Sequence, residues 1–142
     1  MRLRCLKNHG AQLGPCSGGY FFTNRTRWSL EIGQLYEAFG LGLWSNALLV
    51  LVTNNHGRAR WFPLALFEVI DGSLPTGWEV AVYDLQGAMG FPPQEGWGGG
   101  HWVARFGYEE LVTSDEHNDA LMENDAAAVE VFERERRRLD GD

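Results

Sequence analysis

What this sequence has least of is residues in the arrangements that fix a chemistry. Cysteine occurs only at Cys5 and Cys16, spaced unlike a metal-binding pair, and both are expected to stay thiols in a reducing compartment. The basic start, Met1-Arg-Leu-Arg-Cys-Leu-Lys, is not followed by an apolar stretch of signal-peptide length, so a cytoplasmic chain is expected. Asn24-Arg25-Thr26 matches a glycosylation acceptor, a match without consequence when there is no secretory route. Long apolar runs are missing too. Ala47–Val52 is the most apolar segment and is far shorter than the ~20 residues a bilayer requires, which predicts a buried strand and no membrane. No basic stripe is present to neutralise phosphates, so nucleic acid is not an expected partner. There is no nucleophile elbow, and the glycines from Gly96 to Gly100 lack both the GxGxxG and the Walker spacing. A Ser-His-Asp hydrolase and a phosphate cradle therefore have no sequence support, and no cofactor is expected.

What is present suits one folded domain spanning 1–142. With 142 residues, 44% of them hydrophobic and 22% charged, the chain lies far from the composition of disordered segments and is long enough for its own core. A first strand is expected at Leu3–Leu6, then a loop from Gly10 to Gly19 and a short strand at Tyr20–Phe22. Alternation predicts strands at Trp28–Ile32 and from Leu35 through Phe39. Ala47–Val52 and Arg58–Phe62 should form a hairpin over Asn54-Asn55-His56-Gly57, whose Asn and Gly tolerate positive φ. Pro63 cannot donate to a ladder, so one helical turn is expected at Pro63–Leu66 before Phe67–Ile70 extends again. Trp78–Tyr83 and His101–Phe106 complete the strands, with a glycine-rich loop at 87–100 between them. The fold class expected is α+β: a curled antiparallel, SH3-like β meander followed by short C-terminal helices, with a β-rich part at 1–106 and an acidic helical end at 107–139. In that end Tyr108–Val112 suits one helical turn. Thr113-Ser114-Asp115-Glu116 has capping-box spacing, and Asp125 can cap a last helix with Glu130/Arg134 and Glu133/Arg137 pairs. The arginines from Arg134 to Arg138 complement that helix's C-terminal dipole.

The net charge of −7 is placed unevenly, carboxylates being dense from Glu109 onward. Asp115-Glu116-His117-Asn118-Asp119 joins an imidazole to several carboxylates, a set able to bind a metal or exchange protons, although acidic residues also gather at a helix start to complement its dipole. Six tryptophans offer a different chemistry, large contact area with a polar tip. Trp28, Trp61, Trp78 and Trp102 occupy alternating strand positions and are expected in the core. Trp44, beside Ser45-Asn46, and Trp97, within the glycine loop, are expected at a surface. The candidate partner-binding set is thus Trp44, Trp97, Glu109, Glu110, Asp115, Glu116, His117 and Asp119.

Several motifs, kept in order through most of the chain, resemble a family of small, mostly uncharacterised bacterial proteins, some of them immunity proteins of polymorphic toxin systems. They are Leu30-Glu31-Ile32-Gly33 with Tyr36, Trp61-Phe62-Pro63 followed by Leu66–Asp71, Leu74-Pro75 with Trp78, Gly107–Val112, and His117, Asp119 and Leu121. Phe62 stands where the family carries Tyr, Asn118 where it carries an aromatic residue and Ala120 where it carries Gly, and the glycine loop around Trp97 looks like an insertion. The resemblance implies kinship of fold and no established reaction. Together with the uneven charge and the lack of a catalytic set, it leads to the expectation of an interaction protein that binds and neutralises a basic toxin through an acidic surface. The alternatives are a small metal-dependent enzyme built on His117 and a peptide-binding SH3-like module that uses exposed Trp44 and Trp61.

Overall fold

A computed structural model describes residues 1–14, 22–89 and 101–141. Along the chain the strands are β1 (Arg2–Cys5), β2 (Leu35–Glu37), β3 (Gly40–Trp44), β4 (Ala47–Thr53), β5 (Ala59–Pro63), β6 (Phe67–Asp71), β7 (Glu79–Val82) and β8 (Trp102–Gly107). The helices are α1 (Leu85–Ala88), α2 (Glu109–Thr113), α3 (Asp115–Met122) and α4 (Ala126–Asp140). All strand pairs are antiparallel, giving the expected α+β class. The strands divide between two sheets, one of order β2-β1-β6 and one of order β5-β4-β3-β8-β7, so the meander β3-β4-β5 is only part of the larger sheet.

Apolar positions build three layers. Leu3 and Cys5 of β1 pack with Val50 and Val52 of β4, Phe62 of β5 and Phe67 of β6 in a core between the sheets. Leu49 and Leu51 of β4 point the other way and pack with Trp61, Leu111, Leu121 and Phe132 beneath the helices. β4 is covered on both faces, which is why it reads as a continuous apolar run and not as an alternation.

Local chemistry sets the connections. In the β4–β5 turn the Asn54 side-chain oxygen accepts from the backbone N–H of His56 and Arg58, and Gly57 takes φ +75°, a region glycine enters without penalty. Pro63 ends β5 on the outer edge of its sheet, where a missing donor leaves no gap in the ladder. A single 3-10 turn at Leu64–Leu66 then leads into β6. The extended run from Leu35 is shared between the sheets. After Glu37, Ala38 N–H donates to Met1 and Phe39 N–H donates to Leu51, so the chain crosses from β1's partner to β4's partner without a turn.

Some expectations need correction. Trp28–Ile32 is not a strand: Trp28 N–H donates to Asn8, Leu30 N–H donates to Trp28, and Glu31 N–H donates to the Tyr36 hydroxyl. Its alternation reflects Leu30 turning into the core, and among the described residues no neighbouring strand pairs with it. Phe22 is not in a strand either, and Tyr20 and Phe21 lie outside the described residues. The 87–100 loop is preceded by α1, whose end falls within it, and residues 90–100 lie outside the described residues. The cap of α3 is Ser114, which accepts from His117 N–H, while the Thr113 hydroxyl donates back to the Glu109 carbonyl and closes α2. Asp125 caps α4 as expected, accepting from Ala127 and Ala128 N–H. The α4 arginines take different partners from those spacing suggested: Arg134 reaches Glu110 of α2, and Arg136 and Arg138 pair with Glu133 and Glu135 at i,i+3.

Candidate functional site

The acidic segment folds into α3, and the helix sends its polar residues in different directions. Asp115, in the first turn, accepts from Arg105 Nη2 of β8 at 2.7 Å. Arg105 is wholly buried, with its guanidinium 4.6 Å from the Tyr83 ring centre and 5.2 Å from that of Trp102. Aromatic faces thus replace part of the hydration a buried cation loses. Its Nε and Nη1 have no hydrogen-bond partner among the described residues. Tyr83 lies against the same helical layer, its hydroxyl donating to the Val112 carbonyl.

His117 Nε2 lies 2.6 Å from the Tyr108 hydroxyl. Burial pushes the Tyr108 pKa far up, so the hydroxyl keeps its proton and can donate it to a ring nitrogen that carries none. Burial also holds the His117 imidazole below its ordinary range, with Arg105 and Arg134 working in the same direction against the attraction of Glu110. The ring is therefore a neutral acceptor at neutral pH. Asn118, buried, accepts from Trp61 Nε1 at 2.8 Å. Trp61 begins a row of indoles: the Trp102 ring centre stands 4.8 Å from it and that of Trp44 stands 5.1 Å from Trp102. Gly42 makes room for this group, since a Cβ there would come within 2.5 Å of the Trp102 ring.

The sequence candidates consequently separate. Glu109, Asp115, Glu116 and Asp119 are exposed, Glu110 and His117 are partly buried, and Trp97 lies outside the described residues. Trp44 is partly buried against the helical core, less open than expected, because the bend in pairing at Leu43/Trp44 brings it onto Trp102. For Glu110 burial alone would raise the pKa, but its own backbone amide and Arg134 outweigh that and leave the carboxyl below its ordinary range. Among the described residues no group of three or more His, Cys, Asp and Glu is placed to hold a metal ion, and no helix is long and apolar enough to cross a membrane.

Two arrangements escape sequence reasoning. Asp84 caps α1 through Gly87 N–H and meets His101 Nε2 at 2.6 Å, while Ser45 Oγ accepts from the His101 backbone N–H at 3.2 Å. Ser45 holds φ +52° in the β3–β4 turn. These three residue types belong to hydrolytic relays, but here the serine oxygen receives a backbone proton and the trio ties the turn, β8 and α1 together. The second is a strip of exposed apolar side chains at the β7 edge, including Val80, Val82, Leu85 and Met89. Cross-chain proximity of this kind leaves no local signature.

The described chain is thus a three-layer α+β protein whose acidic α3 is fastened to the sheet beneath it by polar side chains. No family model, no curated protein and no solved structure matches it.

Proposed function

We propose that this protein is a non-enzymatic, cytoplasmic interaction domain of the immunity type, which binds a basic toxin through the outer face of α3 and neutralises it. The observation that carries this reading is the fate of the carboxylates. Glu116, Asp119 and Glu123 follow at spacings of three and four, so they share one side of the helical surface, and all are exposed. None of them enters an ion pair among the described residues, whereas Glu110, Glu133 and Glu135 are matched by arginines of α4. An unneutralised acidic stripe on an anchored helix projects a field that steers a basic protein into place and is screened beyond about 8 Å at physiological salt.

The alternatives find less support. A metal at His117 would compete with the Tyr108 hydroxyl for Nε2, and Asp115 is engaged by Arg105. A peptide groove floored by Trp61 would need that ring exposed, and it is 9% exposed. Affinity capture from the native host with wild-type protein and with Glu116→Lys/Asp119→Lys/Glu123→Lys as baits tests the reading. A basic protein should be retained by the wild type, lost from the triple variant and eluted by salt. Retention of the same protein by both baits, or of no basic protein by either, rejects it.

A further inference from the structure

α3 is held in place unusually. Only Asn118 and Leu121 of its eight residues are buried, while α4 sets Phe132 into the core against Phe39, ring centres 5.0 Å apart. Beside a short apolar contact through Leu121, flanked by Ala120 and Met122, α3 uses three side-chain hydrogen bonds: Arg105 to Asp115, Tyr108 to His117 and Trp61 to Asn118. The last two are made by consecutive residues, so they form or break together with one turn of helix. Of the six groups, only imidazole ordinarily changes charge between pH 5 and 8.

We propose that α3 is a proton-released element: when His117 takes up a proton, its bond from Tyr108 is lost, and α3 loosens from the sheet while the strands stay folded. The protonated nitrogen can only donate, so the Tyr108 hydroxyl must turn its own proton away from the ring. It must do so in a buried setting, with the Tyr108 ring edge-on to His117 and tilted against Phe132. The new charge has little help nearby. From α2, Glu110 attracts it but is bound to Arg134 at 2.6 Å, and Arg134 of α4 repels it. From β8, buried Arg105 repels it as well, its ion pair among the described residues running to Asp115 of α3 itself. Glu135 of α4 is shared between Arg134 and Arg138. The attached state therefore binds the proton more weakly than the released state, and attachment weakens only as pH falls below the ordinary imidazole value of about 6.5. This device concerns how α3 stays on the sheet and does not depend on what α3 binds.

Nuclear magnetic resonance on the ¹⁵N-labelled full chain between pH 7.5 and 4.5 provides the test, with amide exchange expressed as protection relative to an unstructured chain at each pH. Protection at Leu121 and Met122 should fall below pH ~6.5, by at most about tenfold per pH unit, the limit for one proton. Protection of the β4 amides should hold, and the Trp61 indole N–H signal should shift in step with α3. In His117→Gln the α3 protection should be flat over the same range. Unchanged α3 protection in the wild type, an equal fall in His117→Gln, or a parallel fall in β4 would each overturn the device. Should His117→Gln not fold, direct titration of the His117 ring carbon in the wild type decides: a midpoint below the ordinary value agrees, and one at or above it refutes.

Discussion

At the scale of single residues, the pair Trp61 and Asn118 shows how one buried polar contact can hold a helix to a sheet. Their bond is buried and joins residues 57 positions apart, so removing the acceptor leaves an indole N–H with nowhere to donate. Asn118→Ala should lower stability by about 1–3 kcal/mol, the penalty for a stranded buried donor, seen as a lower urea midpoint at unchanged slope. Trp61→Phe combined with Asn118→Ala should lower stability by less than the sum of the single changes, since the second removes a partner already lost. Gly42 is constrained from the opposite direction. A methyl there would stand 2.5 Å from the Trp102 ring, and Gly42→Ala should cost about 1–3 kcal/mol through overpacking. Glycine in β3 reads from sequence only as a weak strand residue. That an indole lies across it depends on β8, more than fifty positions later, and no local pattern carries that information.

Among the elements, those governed by neighbouring residues were the ones legible in advance. The β4–β5 hairpin follows from an apolar run, an Asn-Gly turn and Pro63, and α4 follows from Asp125. The alternation over Trp28–Ile32 does not make a strand, because alternation reports which side chains face inward, and Leu30 does. A strand requires a ladder, and among the described residues this segment makes only single backbone bonds such as Trp28 N–H to Asn8 and Asn55 N–H to Ser29. Of the candidate site, the acidic character of α3 was legible. Its fastening to Arg105, Tyr108 and Trp61 was not, because those residues come from β8, the β8–α2 junction and β5. The Arg105–Asp115 pair yields an asymmetric prediction. Asp115→Asn leaves a buried guanidinium without its counter-charge, whereas Arg105→Met removes the charge together with its desolvation cost. Asp115→Asn should therefore be the more destabilising of the two. Its effect should fall below the ~3–5 kcal/mol of fully buried pairs, because the Asp115 side chain is 75% exposed. Chemical denaturation of the two variants side by side checks the order.

For the whole molecule, charge governs how stability responds to pH. His117 has a lowered pKa in the folded state, so its contribution is complete above about pH 6.5 and is lost as pH drops through the folded value. Asp71, Asp84 and Glu110 are lowered as well, and their contributions vanish further down, in the carboxylate range. Cys5, Tyr83 and Tyr108 are raised, so stability contributed by their neutral forms is present below their unfolded values and declines at alkaline pH. Thermal unfolding followed across pH should show a plateau near neutrality, an early shoulder on the acid side that His117→Gln removes, and a separate alkaline decline.

Growth of the native host settles most directly whether the outer face of α3 is a neutralising surface. In a strain deleted for this gene and otherwise intact, growth should fail and be restored by the wild-type gene, but not by one encoding Glu116→Lys/Asp119→Lys/Glu123→Lys at equal protein level. Normal growth of the deletion strain, or equal rescue by both genes, would contradict the role proposed for that surface.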